Sequence, residues 1–147
     1  AAQNIGAGKY DRAKQTLRYA MMIAIEFGLV VSILIQFIAA PIVGLFTADA
    51  AVILLGAQYI RGYIWDCIFA GVHFSFSGYF CACGKSGISF LHNLIAILCV
   101  RIPGVYLTSK IFPDTLFPMG LATATGSLLS VFICIIAYRW LCKKSGK

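Results

Sequence analysis

Asp66, His73 and Ser77 stand seven and then four residues apart, the spacing that brings side chains to one face of a helix. Tyr59 and Gly62 fall on the same stripe, and Phe69 and Phe80 flank it. A carboxylate supplies charge and aromatic faces receive organic cations, so such a stripe suits the wall of a cation-accepting cavity. Asp66 also has a purely structural reading, a buried ion pair with Arg101. If that pair forms, Asp66 is less free to carry a proton or a sodium ion, and Glu26 or His73 becomes the better titrating candidate. Counted at ~1.5 Å per residue from the helix ends, Glu26 and His73 lie at similar heights, where they could meet across helices. The same count puts that height near the middle of the membrane and places Asp66 and Arg101 together in the outer half. Arg61 sits nearer a rim and is expected to snorkel, while His92 reads as a solvated or internally satisfied histidine. The candidates for substrate or ion binding are thus Asp66, His73, Glu26, Ser77 and Arg101.

The elements that must position these groups are long apolar runs. Of the 147 residues 61% are hydrophobic and only 12% charged, too few polar side chains to cover a water-facing globule. The runs exceed the ~20 residues that a membrane span needs, and predict an all-α, polytopic transmembrane helix bundle with the lipid bilayer as a partner. Four spans are expected, approximately 15–46, 52–83, 88–107 and 118–142. The second is the unusual one, carrying Arg61, Asp66 and His73 within an aromatic and aliphatic run. An ionisable group there costs roughly 2.5 to 3.5 kcal/mol on insertion scales, so its default role is inside the bundle. Pro41 is expected to kink or close the first helix, Thr47-Ala48-Asp49 to turn, Gly84-Lys85-Ser86-Gly87 to break the second, and Pro103-Gly104 to kink or end the third. In the last run Gly120, Thr123, Ala124, Ser127 and Ser130 recur at spacings of three and four, a face for close helix packing.

The formal net charge of +7 does not signal nucleic acid, because its carriers sit at the ends of the runs and not in one basic stripe. Lys9, Arg12, Lys14 and Arg18 precede the first, Lys85 lies between the second and third, and Arg139, Lys143, Lys144 and Lys147 follow the last. By the positive-inside pattern the N-terminal loop and C-terminal tail are expected on the cytoplasmic side of the cell (plasma) membrane. The six cysteines lack the spacing of a disulfide framework or a zinc site and read as small buried residues. No nucleophile elbow, phosphate loop or HExxH stands in the sequence, and the reading is not an enzyme.

One further pattern is sequential. Ala2-Gln3-Asn4-Ile5-Gly6-Ala7-Gly8-Lys9 followed by Arg12-Ala13 resembles the loop between the second and third helices of each half in multidrug and toxic compound extrusion (MATE) transporters. Gly78-Tyr79 with Gly84-Lys85, Arg101-Ile102-Pro103, and Pro118-Met119-Gly120-Leu121-Ala122 resemble matching places in that family's C-terminal half. The resemblance covers essentially the whole chain. It implies helices nine to twelve of a twelve-helix, two-lobe antiporter, whose N-terminal lobe would be the missing partner. It further implies a small organic substrate, often cationic, exported against sodium ions or protons, with no cofactor beyond that coupling ion. Some members use a carboxylate in the tenth helix for the cation. Asp66 is the carboxylate present, although the family's place falls nearer Val72. Two other transport readings stand beside this one: a lipid-linked oligosaccharide flippase of related fold, and a self-contained four-helix exporter using Glu26.

Overall fold

The computed structural model describes residues 1–144, so Lys147 of the expected basic tail lies outside the described residues. All regular structure among them is helical: α1 (Ala2–Gly6), α2 (Tyr10–Gly44), α3 (Ala50–Tyr63), α4 (Asp66–Ala82), α5 (Ser86–Ala96), a π-helical turn (Ile97–Arg101), α6 (Ile102–Ile111) and α7 (Phe117–Lys144). Three stretches are long and apolar enough to cross a membrane: Tyr10–Gly44, Ser86–Ile111 and Phe117–Lys143. Their outward surfaces carry Ile23, Phe27, Phe37, Phe90 and Ile136, all exposed, which is the exterior of a protein whose solvent is hydrocarbon. The chain is a membrane protein built as an all-α polytopic bundle.

The turns follow from local chemistry. At the start of α3, the Asp49 carboxylate accepts from the Ala51 and Val52 amides at 2.9 and 3.4 Å, capping two donors that the helix cannot satisfy itself. At the end of α4, Gly84 adopts φ +70, and the amides of Gly84 and Lys85 return to the carbonyls of Cys81 and Phe80 at 3.0 and 2.8 Å. This paired closure needs a left-handed residue, which glycine supplies without strain. Gly8 does the same after α1, a one-turn helix inside the stretch expected to be loop. Pro41 lies inside α2, which ends three residues later. Gln58 of α3 accepts from the Thr115 hydroxyl and the Leu116 amide at 3.1 and 3.3 Å, fixing the entry to α7.

Where one uniform second span is expected, the helix breaks at Ile64-Trp65. The backbone stays right-handed there, but the amides of Cys67 and Ile68 reach back only three residues, to Ile64 and Trp65. The third rod carries a π-turn directly before Pro103, where the Ile102 amide bonds to the Ile97 carbonyl. Pro103 has no N–H to offer the Cys99 carbonyl, and its ring crowds that carbonyl, so the helix widens and continues to Ile111 instead of ending.

The α3–α4 rod lies between α2 and α7, and α7 also packs along α5, the π-turn and α6. Backbones come closest where α3 crosses α7. A methyl group on Gly120 would fall 2.6 Å from the Tyr63 nitrogen and one on Gly62 3.1 Å from the Leu121 nitrogen. Nearer the start of α2, Ala13, Leu17, Phe76, Phe80 and Cys134 form a buried cluster, extended by Tyr138 at 5.5 to 5.7 Å from the Tyr79 and Phe76 rings.

Candidate functional site

The break in the α3–α4 rod frees backbone groups within an apolar bundle, where an unsatisfied carbonyl costs several kcal/mol. Helix α2 supplies further partners at the break. Ser32, fully buried, donates its hydroxyl to the Ile64 carbonyl at 3.2 Å. Gln36 donates its amide to the Arg61 carbonyl at 3.2 Å, and Arg61 Nε returns a bond to the Gln36 carbonyl at 3.0 Å. Arg61, expected to snorkel outward, is tied to α2 through that nitrogen. Asp66 is the first residue of α4, so its carboxylate lies at a helix N-terminus, where negative charge is favoured.

Asp66 is also ion-paired. Arg101 Nη2 lies 3.1 Å from Oδ1 and 3.0 Å from Oδ2 of the carboxylate, and 2.6 Å from the buried Ser127 hydroxyl. One nitrogen thereby joins the break, the π-turn and α7. The stem of Arg101 reaches them by crossing Gly126, whose missing side chain leaves the notch it occupies; a Cβ there would strike Arg101 Cγ. Of the two sequence readings of Asp66, the pair with Arg101 is the one the structure contains.

His73 and His92 make a second polar group. Both are buried, at 3% and 0% exposure, and their rings meet edge to face with centroids 5.5 Å apart. His92 Nδ1 lies 3.3 Å from the Ser130 hydroxyl, and that hydroxyl donates to the His92 carbonyl, also at 3.3 Å. His73 Nδ1 and His92 Nε2 are buried with no hydrogen-bond partner. Beside them the hydroxyls of Ser77 and Ser89 are in direct contact. His92 is therefore an interior residue of this group and not a solvated one, and with Ser89 and Ser130 it is what the sequence reading missed.

Glu26 is not brought to this group. It is exposed on the face of α2 away from Ala24 and Gly28, which pack against Gly71 and Ile68 of α4. Two helical positions from Ala24 is a rotation of about 200°, so equal height did not imply equal face. Of the cysteines read as buried fillers, Cys134 alone is buried; Cys67, Cys81 and Cys99 are exposed and Cys83 and Cys142 lie between. A thiol is apolar enough to face lipid, which removes the reason to expect it inside. Among the described residues no set of three His, Cys, Asp or Glu side chains gathers to hold a metal ion. A cleft of about 410 Å³ opens at the other end of α4, between Tyr10, Lys14, Tyr79, Lys85 and Leu141.

The protein-family model described as MatE matches residues 1–107. No curated protein matches the chain, and no solved structure does. The matched stretch includes α2 to α5, the π-turn and the first half of α6, and so both partners of the Asp66–Arg101 pair and both histidines.

Proposed function

The chain belongs to the MatE family, whose members are membrane transporters, and from that premise we propose that it forms part of a secondary active exporter of organic, often cationic, compounds. Export is driven by sodium ions or protons moving inward. The four rods correspond to helices nine to twelve of a two-lobe, twelve-helix protein, and Glu26 on the outer face of α2 is a carboxylate available to the surfaces that the other helices cover. The N-terminal loop, the Lys85 turn and the C-terminal tail face the cytoplasm at the plasma membrane.

The single observation that carries the reading is the family match across residues 1–107. Interior polar groups in otherwise apolar helices support it, because such groups are expensive in hydrocarbon and mark ion or substrate pathways in transporters. So do the broken α3–α4 rod and the π-turn, since irregular helices at membrane depth recur in alternating-access proteins. No catalytic role is assigned to any residue.

The experiment is expression of the full-length protein containing this chain in efflux-deficient cells, with accumulation of several cationic dyes as the readout. Lower accumulation that returns when the sodium and proton gradients are collapsed is the expected result. Accumulation unchanged for every dye would defeat the exporter reading.

A further inference from the structure

The hydrogen-bonding roles around His92 can be assigned from the geometry. The Ser130 hydroxyl has one hydrogen, and it is directed to the His92 carbonyl. In the contact with His92 Nδ1 the Ser130 oxygen is then the acceptor, so Nδ1 carries the ring's hydrogen. A neutral imidazole has only one N–H, which leaves His92 Nε2 as a bare lone pair, buried and unpartnered. The second ring, His73, lies 5.5 Å away centroid to centroid and also has an unpartnered nitrogen, Nδ1. Buried polar atoms in native structures are nearly always paired, and an exception on two facing rings is best explained by a task that needs the free lone pair.

The surroundings restrict what can bind. The cation whose field reaches His73 is Arg101, and Asp66 neutralises it by direct contact. Helix α2 meets α4 here through Ala24 and Gly28, with Glu26 exposed on its other side. Helix α7 presents the neutral hydroxyls of Ser127 and Ser130 and, one turn on, the buried thiol of Cys134. A sodium ion requires several oxygen ligands. The Asp66 carboxylate has both oxygens on Arg101, the Ser130 hydroxyl is committed to His92, and the Ser77 and Ser89 hydroxyls are engaged with each other. A proton requires a single lone pair.

We propose that the His73–His92 pair is a proton-binding site that loads the proton used in coupled export. A hydronium ion gives up its proton to His92 Nε2: an N–H bond forms, an O–H bond breaks and water departs. The imidazolium then lies beside the neutral His73 ring, 5.5 Å away centroid to centroid. The pair takes one proton and not two, since a second would set two imidazolium cations 5.5 Å apart centroid to centroid in a weakly screened interior. The coupling part of this inference rests on the exporter reading above; the proton site does not.

The test uses the full-length protein in proteoliposomes with 15N-histidine labelling, in the native form and with His92→Asn or His73→Gln. Asparagine keeps a donor near the place of Nδ1, and so the bond to Ser130, but removes Nε2. Tyr106→Phe, at an exposed position on α6, serves as a control that leaves both rings and their partners, and each variant is first checked for monodisperse, cooperatively unfolding protein. The expected result is one imidazole signal converting to imidazolium as the pH is lowered, while the other ring stays neutral. That signal disappears in either variant, along with dye export driven by a proton gradient, and both persist in Tyr106→Phe. No conversion of either ring, or full proton-driven export in both folded variants, would overturn the proposal. Conversion without export of any dye under any gradient would sink the exporter reading and leave the proton site standing.

Discussion

The balance at Asp66 is between the cost of removing two ions from water and the contact that remains to them. Breaking a buried pair by deleting one partner is the expensive route, because the other ion stays buried and uncompensated. Arg101→Ala is therefore expected to lower stability by about 3 to 5 kcal/mol, read as a fall in the unfolding midpoint of the detergent-solubilised protein. Replacing Asp66 and Arg101 together by leucine is expected to recover most of that loss. If the double variant is as unstable as the single one, the pair is not acting as a compensated unit. Arg101→Lys should lie between, since all three contacts come from one nitrogen and an ammonium has three hydrogens, although its shorter reach strains the contact across Gly126. Asp66 was conspicuous in the sequence because a charge in an apolar run always is. His92 and Ser130 were not, since a histidine near a helix end and a serine on a small-residue face both have ordinary explanations.

Most of the pairing between elements was nonetheless recoverable from residue numbers. Around the Gly84 turn α4 and the following rod run antiparallel, and residues equally far from the turn face each other: Ser77 with Ser89, His73 with His92 and, furthest out, Asp66 with Arg101. From the second of these rungs to the third α4 advances seven residues and its partner nine, and the wider winding of the π-turn absorbs part of the difference. Around the Asp49 turn the same rule joins Gln36 to Arg61, Ser32 to Ile64, Gly28 to Ile68 and Ala24 to Gly71. Spans and turns were legible because run length and breakers report them directly. The helix break was not, because Ile64 and Trp65 are ordinary helical residues and the cause lies in donors on another helix. Two experiments belong at this scale. In a cysteine-free background, Ser77→Cys with Ser89→Cys should cross-link on mild oxidation, and moving the second cysteine to position 91 should abolish it. Gly126→Val should push the Arg101 stem out of its notch and cost about 1 to 3 kcal/mol, as overpacking does; an unchanged unfolding midpoint would mean that Arg101 takes another route.

Along the spans the exterior is apolar, while Ser32, Ser127, Ser130, both histidines and Asp66 are buried. That arrangement suits hydrocarbon as solvent, and it gives the cysteines distinct environments. In native vesicles Cys67 and Cys99, as thiols held protonated in hydrocarbon, should resist a water-soluble maleimide as the buried Cys134 does; labelling of Cys99 by that reagent would place it in water. The broken α3–α4 rod carries one more consequence, for how the protein is made. Helix α3 has 14 residues and α4 has 17, or ~21 and ~26 Å at 1.5 Å each, and neither alone matches a hydrocarbon core of about 30 Å. The two must enter the bilayer as one segment, with the carbonyls of Arg61 and Ile64 short of their α2 partners until something meets them. Ser32 and Gln36, the groups that meet them, leave the ribosome first. Biosynthesis thus has its own order: α2 is seated before the segment that depends on it emerges, and losing its two polar side chains would appear first as failed insertion during translation.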